Sequence, residues 1–418
     1  MSNQKIEIMS PVGSYEMLMA AINAGAGSVY FGASHLNMRA KSSKNFTLDD
    51  LVNISQICRD NGVASYLTVN TIIYDNELPE MQQIIDTAKE CGISAIIASD
   101  IAAIEYARSI GMEVHISTQL NITNTLSVRY FSNYADVIVL ARELNLEQVK
   151  HICDYIKKEQ IKGPSGNLVR IEVFVHGALC MAISGKCYLS LDLQNHSANR
   201  GDCLQICRRP YEVIDKTSGL KLEIDNEYIM SPKDLCTIDF LDKILDSGVT
   251  VLKIEGRGRS PEYVKVTTEV YHQAVEAYLN GEYTPERIEE WKSRLARVYN
   301  RGFWDGYYLG RKLGEWTNRK GSSATTTKEY VGKVMNYYSK IGVVDVLVED
   351  QNIQVGDEYY IIGPTTGVVE GKIESMKMDE VDTFSSYRGG RLTFPVPTKV
   401  RENDKLYKIV KVTRDSQS

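Results

Sequence analysis

Four of the chain's eight cysteines lie between positions 180 and 207, and they are Cys180, Cys187, Cys203 and Cys207. Glycines nearby in the sequence allow the backbone to approach a bulky group closely. Four thiolates in one loop region suit a zinc ion or an iron–sulfur cluster. The alternative is a set of buried, inert thiols. That alternative is favoured for Cys58, Cys91 and Cys153, because each is isolated in a helical pattern.

The composition indicates an ordinary globular protein, with 43% hydrophobic and 24% charged residues. A chain of 418 residues predicts two or three domains. The N-terminal residues do not resemble a signal peptide, and no apolar run approaches the roughly 20 residues of a membrane span. We therefore predict a cytoplasmic protein without membrane contact, in which thiols stay reduced and available for metal or redox chemistry. The net charge of −6 means that any contact with RNA must use a local basic patch.

Two basic groups are candidates for such a patch. Arg200, Arg208 and Arg209 lie beside the cysteines, where they can balance thiolate charge or bind a phosphate backbone. Glu255 ends the last predicted strand of the first domain and Arg257 follows it, in a segment with three basic residues and two glycines. Loops after strands seven and eight of a barrel commonly bind anions, so this segment is a candidate anion site.

Further candidates follow other predicted strands. Gln119, Asn121 and Arg142 can bind a polar or anionic ligand, since arginine forms a bidentate fork with carboxylates. His176 is a candidate general base for Cys180. The spacing of this pair is weak evidence by itself, and a histidine at a strand end is more often a hydrogen-bonding loop residue.

Residues 6–281 alternate short apolar runs with helix-like stretches. The apolar runs are Ile6–Ser10, Ser28–Gly32, Ser65–Val69, Ala95–Ser99, Glu113–Ser117, Asp136–Ala141, Ile171–His176 and Thr250–Glu255. Eight strand–helix alternations imply parallel strands, and eight strands close a barrel of about 250 residues. The sequence therefore predicts an α/β fold with a TIM-like (β/α)8 barrel. An open doubly wound sheet is the alternative, although no G-x-G-x-x-G follows any predicted strand.

The connection from His176 to Thr250 is anomalously long and contains the four cysteines. Long insertions in this architecture are usually functional loops. This one leaves the carboxyl end of strand seven, the face on which barrel active sites are built. Its last part, from Ser231 onward, is predicted to be helix seven, with Pro232 in the first turn.

The pattern changes near residue 320. We assign residues 1–320 to the barrel domain and 321–328, which are rich in Gly, Ser and Thr, to a linker. Residues 329–418 contain short strands punctuated by turns, and they predict a small all-β barrel domain. This module either contacts a macromolecule or the first domain, or serves as a structural cap.

The segment from Glu172 to Ser190 resembles the signature of peptidase family U32, the collagenase-like peptidases of unknown mechanism. The matching positions are Glu172, Phe174, Gly177, Ala178, Leu179, Cys180, Gly185, Cys187, Leu189 and Ser190. Similar stretches extend the resemblance over about residues 6–281, and the trailing β module resembles a C-terminal domain of many members. The resemblance implies oxygen-independent hydroxylation of a tRNA wobble uridine, of an rRNA cytidine or of ubiquinone precursors.

The resemblance also implies a [4Fe–4S] cluster in this region, with prephenate as oxygen source in the tRNA members. Cys180, Cys187 and Cys203 match ligand positions of relatives, whereas Cys207 is inferred from local spacing and Cys236 is its competitor. The chain's length and β module favour the tRNA branch over the shorter ubiquinone branch.

The leading hypothesis is therefore a wobble-uridine hydroxylase that binds tRNA and a small anionic co-substrate such as prephenate. A zinc ion is the alternative to the cluster. A peptidase and a non-catalytic RNA-binding protein are the alternative functions, and the sequence indicates no oligomeric state.

Overall fold

A computed structural model of the chain describes residues 5–40, 45–219, 228–310 and 314–412. The first domain is a closed barrel of parallel strands with helices between them. In chain order its strands are β1 (Glu7–Pro11), β2 (Ser28–Phe31), β3 (Ala64–Val69), β4 (Ala95–Ala98), β5 (Val114–Ile116), β6 (Val137–Val139), β7 (Arg170–Ala178), β8 (Asp234–Cys236), β9 (Val251–Ile254) and β10 (Phe303–Trp304). The barrel consists of β1 to β7 and β9, and it closes because β9 pairs in parallel with both β7 and β1. The prediction of a TIM-like barrel is confirmed.

The helices of this domain follow the strands. They are α1 (Tyr15–Asn23), α2 (Asp50–Asp60), α3 (Leu78–Glu90), α4 (Ile101–Ser109), α5 (Thr125–Phe131), α6 (Leu146–Lys158), α7 (Leu189–Gln194), α8 (Leu241–Asp246), α9 (Pro261–Leu279) and α10 (Pro285–Arg297). At the start of α6, Asn145 and Gln148 form a reciprocal capping box, with distances of 3.0 and 2.9 Å. Within the described ranges, none of these helices combines the length and apolarity that crossing a membrane requires.

The segment that was predicted to begin helix seven is a strand instead. β8 pairs antiparallel with the end of β7, where Cys236 lies opposite His176, and in parallel with β10. β7 has nine residues and continues past its pairing with β9, so the backbone groups at its end need another partner. β8 supplies that partner, and helix α8 begins only at Leu241.

The C-terminal domain is an antiparallel sheet of eight strands. They are β11 (Thr326–Tyr338), β12 (Val343–Val348), β13 (Glu358–Gly363), β14 (Gly367–Lys372), β15 (Met376–Met378), β16 (Val381–Thr383), β17 (Arg391–Pro395) and β18 (Lys405–Lys411). The strand order is β14-β13-β18-β11-β12-β17-β15-β16. Tyr359 of β13 and Phe394 of β17 stand four strands apart in this order, yet their ring centroids are 5.1 Å apart. Neighbouring strands are spaced by about 4.8 Å, so the sheet must curl around its core.

The two domains share an apolar interface. Ala20 of α1 packs with Tyr360, Ile362 and Val368 of the C-terminal sheet. The segment predicted as a linker, residues 321–328, is attached to the barrel: the backbone N–H of Thr325 donates to the carbonyl of Ala296 at 2.9 Å. β11 begins at Thr326, so the last three residues of that segment belong to a strand.

Candidate functional site

The cysteine insertion folds over the carboxyl ends of the barrel strands. Ile72, which follows β3, donates its backbone N–H to the carbonyl of Asn199 at 3.1 Å. Gly201 has a φ of 81°, and a Cβ there would lie 2.3 Å from the carbonyl oxygen of Asn37. This glycine near Cys203 therefore lets the insertion pack closely against a barrel loop. The sequence predicts instead that glycines here let the backbone approach a bulky group.

Two adjoining cavities lie beneath the insertion, and we name them the outer cavity, of about 140 Å³, and the inner cavity, of about 130 Å³. Cys180 and Cys203 line both cavities, Cys207 lines the outer cavity and Cys187 lines the inner cavity. Burial, opposed by the charge of Arg208 and reinforced by the other three thiols, raises the pKa of Cys207 to about 11. Four thiolates can therefore be held here only if positive charge accompanies them, as a metal centre provides.

The donor set, four thiols, suits either a zinc ion or an iron–sulfur cluster. In the part of the chain that the structure describes, no three His, Cys, Asp or Glu side chains form a group that encloses a single metal ion. Instead, the four thiols are distributed over the outer and inner cavities, with Cys180 and Cys203 lining both.

Cys236, the competitor for the fourth ligand position, lines neither cavity. It is buried beside the hydroxyl of Tyr271, and burial raises its pKa to about 12. The structure thus brings Cys207, and not Cys236, together with the other three cysteines. Cys58 and Cys153 are buried in their helices.

Glu255 is the acidic residue of both cavities. Nη2 of Arg39 lies 2.7 Å from its Oε1, and the hydroxyl of Tyr30 donates to its Oε2 at 3.3 Å. Burial alone would raise the pKa of Glu255, but the charges of Arg39, Arg142 and Arg257 lower it to about 2. Glu255 is therefore ionised at neutral pH and holds Arg39 at the wall of the cavities.

Two arginines of the inner cavity have no carboxylate within salt-bridge distance among the described residues. Arg257 is only 4% exposed, and its Nη1 donates to Oγ1 of Thr68 at 3.0 Å. Arg142 stacks on the ring of Phe174 at 3.9 Å, and its buried Nε has no hydrogen-bond partner. Lys253, by contrast, is paired with Glu172 at 2.7 Å. The inner cavity therefore carries positive charge that an anionic ligand can neutralise.

Gln119 and Asn121 have different positions at this mouth. Gln119 lines the inner cavity, and its Oε1 accepts hydrogen bonds from the hydroxyl of Ser117 and, at 3.4 Å, from Nδ2 of Asn70. Asn121 attaches the insertion, because its Nδ2 donates to the carbonyl of Ser184 at 3.3 Å. Its buried Oδ1 has no partner in the described structure.

The three arginines beside the cysteines do not form one basic patch. Arg200 is paired with Glu77, across the boundary between the insertion and the loop after β3. Arg208 lines the outer cavity, but its Nη1 donates to the carbonyl of Pro232 at 2.9 Å. Only Arg209 is exposed. Two of the three predicted phosphate contacts thus hold the insertion in place.

His176 does not reach the cavities. It is buried among the rings of Tyr263, Tyr271 and Phe303, with centroid distances of 6.0, 5.6 and 5.7 Å. Burial, with a smaller contribution from Arg259, lowers its pKa to about 3. The structure therefore does not place His176 as a base for Cys180.

Replacing His176 with phenylalanine should weaken the acid sensitivity of the fold. The folded-state pKa of about 3 lies below the ordinary value of 6.5, so the unfolded chain binds a proton that the folded chain excludes. Stability conferred by neutral His176 is therefore present above pH 6.5 and is lost as the pH falls toward 3, by about 1.4 kcal/mol per pH unit. Denaturant unfolding measures the free energy of unfolding at pH 7 and at pH 5. The decrease between these pH values should be about 2 kcal/mol smaller in His176→Phe than in the wild type. Equal losses in both proteins would contradict the prediction.

Arg39 and Arg301 are residues of the site that had no role assigned from the sequence, whereas Lys253 and Arg259 belong to the basic segment predicted to bind an anion. Arg39 follows β2, as a mouth residue of a barrel should, and Lys253 lies in β9. Arg259 and Arg301 line the outer cavity and flank the buried Asp234, at 3.5 and 3.3 Å. Arg301 lies beyond the barrel in sequence, so no strand-end pattern points to it.

Comparison with known proteins places these residues in a family. The model of peptidase family U32 matches residues 13–318. A protein named collagenase from Porphyromonas gingivalis is 57% identical over 98% of this chain and 99% of its own length. A tRNA hydroxylation protein of Bacillus subtilis is 30% identical over 86% of this chain and 84% of its own. A 23S rRNA 5-hydroxycytidine synthase of Escherichia coli is 29% identical, over 88% of this chain and 55% of its own. The predicted family is confirmed, and the chain belongs to peptidase family U32.

Proposed function

We propose that this protein hydroxylates tRNA without molecular oxygen and forms 5-hydroxyuridine at the wobble position. The observation that carries the proposal is the meeting of four cysteine thiols with positively charged cavities at one barrel mouth. A relative named for tRNA hydroxylation and another named for rRNA hydroxycytidine synthesis each match most of this chain, which supports RNA as the substrate class.

In this proposal Cys180, Cys187, Cys203 and Cys207 hold a [4Fe–4S] cluster, which supplies one-electron chemistry when bound. Arg142 and Arg257 bind an anionic co-substrate such as prephenate, because their charges lack carboxylate partners in the described structure. Ionised Glu255 keeps Arg39 beside that ligand. The aromatic rings of Tyr30 and Phe174 line the inner cavity and limit the entry of water.

A peptidase is the second candidate, because the 57% identical relative is named collagenase. A cysteine peptidase needs a base within hydrogen-bond reach of its nucleophile, about 2.6–3.2 Å. His176 is buried away from Cys180, and none of the described histidines lines either cavity. The geometry therefore favours the hydroxylase over a cysteine peptidase.

The two candidates differ in the substrate that they consume. Anaerobically purified protein, incubated with unmodified tRNA, prephenate and a reductant, should form 5-hydroxyuridine that mass spectrometry of digested tRNA detects. The same preparation should leave gelatin intact. Cleavage of gelatin that is lost in Cys180→Ala, without any modified uridine, would overturn the proposal in favour of the peptidase.

A further inference from the structure

Tyr74 presents an exposed aromatic ring on the loop whose first residue, Asn70, lines the inner cavity, and the proposed chemistry does not use it. The residue is 55% exposed and lies in the loop after β3. The guanidinium of Arg200, from the cysteine insertion, lies over one face of the ring, 4.0 Å from its centroid. Arg200 is itself fixed by Glu77 and by the carbonyl of Ile72, 2.5 Å from its Nη1. The ring is thus held in place from one side.

The loop that carries Tyr74 also lines the inner cavity. Asn70 lies in the cavity wall, and Ile72 is bonded to Asn199 of the insertion. Tyr74 is four residues from Asn70, which limits their separation to about 14 Å of extended chain. Stacked nucleotides rise by about 3.4 Å each, so Tyr74 is within about four nucleotides of a base in the cavity.

The neighbouring outer cavity has the charge that a nucleic-acid strand requires. It is lined by one carboxylate, that of Glu255, and by five arginines: Arg39, Arg142, Arg208, Arg259 and Arg301. Asp234 behind the wall pairs with Arg259 and Arg301, so the arginines still outnumber the nearby carboxylates by five to two. This local positive charge contrasts with the net charge of −6 of the whole chain. A polyanion is therefore attracted to this mouth rather than to the surface in general.

We infer that Tyr74, backed by Arg200, is a stacking platform for an unpaired base of the substrate RNA, close to the nucleotide that enters the cavity. This inference rests on the proposed function and adds a binding site to it. Unpaired RNA bases stack on aromatic side chains, and such stacking tolerates any base because every base has a π-face. A paired base in a duplex stem cannot offer its face in this way.

The test is binding of two RNA probes to the full-length protein under anaerobic conditions. One probe is a hairpin with a tRNA anticodon loop, and the other is the same stem as a blunt duplex. Tyr74→Ser should weaken hairpin binding by about tenfold, whereas Tyr74→Phe should bind within about twofold of the wild type. Binding of the duplex should not change. Tyr130→Ser is the matched control, since Tyr130 is also 55% exposed but lies on α5.

The remaining outcomes separate this inference from the proposed function. A wild-type protein that binds neither RNA refutes the proposed function, and the platform with it. If the wild type and Tyr74→Ser bind the hairpin equally tightly, the platform is refuted and the proposed function is not. Loss of iron in Tyr74→Ser would assign the ring to support of the insertion. Weakened binding of gelatin peptides with unchanged hairpin binding would assign it to a protein partner. Either result would also overturn the inference.

Discussion

Replacing Cys180 or Cys187 with alanine should remove most of the iron and abolish hydroxylation of tRNA. Anaerobically purified wild type should be brown, with about four iron and four sulfide per chain. Each variant should retain less than about one iron, because a [4Fe–4S] cluster is held by four thiolates and the iron that lacks its thiolate is exposed to loss. Cys180 and Cys187 both line the inner cavity, so the effect should be equal for the two. Iron and sulfide assays, with the absorption spectrum, measure the result.

The other cysteines provide the controls. Cys58→Ala should keep its iron, since Cys58 is buried in α2 away from the cavities. Cys236→Ala should also keep its iron, at a cost of about 1 kcal/mol for the small cavity that it leaves. Cys207→Ala should lose iron like Cys180→Ala. The assignment of the fourth ligand is wrong if Cys236→Ala loses the iron and Cys207→Ala keeps it. Stoichiometric zinc without iron in the wild type would refute the cluster.

The barrel could be predicted from the sequence because its strands are buried on both faces and read as short apolar runs between amphipathic helices. All eight runs correspond to barrel strands, from Glu7–Pro11 to Val251–Ile254. The strand β8 could not be predicted in the same way. It is three residues long, follows a proline, and exists because the end of β7 needs a partner. Such a strand has a tertiary cause and no periodic pattern of its own.

The position of His176 was missed for a related reason. Along β7, Glu172 faces Lys253 and Phe174 faces Arg142, so strict alternation would also point His176 to the cavities. The pairing of β7 with β9 is irregular between Phe174 and His176, and a bulge shifts side chains to the other face. No feature of the sequence signals this bulge. The side chain therefore packs among Tyr263, Tyr271 and Phe303 instead.

The arginines show why composition alone did not identify the charged surface. Two basic residues close in sequence attach the insertion: Arg200 pairs with Glu77 of the loop after β3, and Arg208, which also lines the outer cavity, donates to the carbonyl of Pro232. The other arginines of the outer cavity come from distant segments, and Arg39 and Arg301 are brought together only by the closed barrel and the segment that follows it. Charge in a barrel mouth is set by which strand ends meet there, and that information is contained in the topology.

Replacing Arg257 with methionine should abolish hydroxylation while leaving the fold intact. Arg257 is buried with one hydrogen bond, to Thr68, and burial lowers its pKa to about 10. A buried charge without a carboxylate at salt-bridge distance costs stability, and the longer-range attraction of Glu255 offsets part of that cost, so an apolar side chain of similar length should change Tm little. The same charge should bind the anionic co-substrate, and its loss should lower kcat/KM at least about 100-fold, or about 2.7 kcal/mol.

This combination of effects separates a ligand-binding arginine from a structural one. In Arg257→Met the affinity for tRNA should stay within about twofold of the wild type, because the defect concerns the co-substrate, and KM for prephenate should rise. Arg257→Lys should recover part of the activity, since it keeps the charge and loses the fork. Arg59→Met, an exposed arginine on α2, should match the wild type in activity. If Arg257→Met lowers Tm by several degrees and keeps its kcat/KM, Arg257 is part of the framework, and the anion must be bound by Arg142 and Arg39.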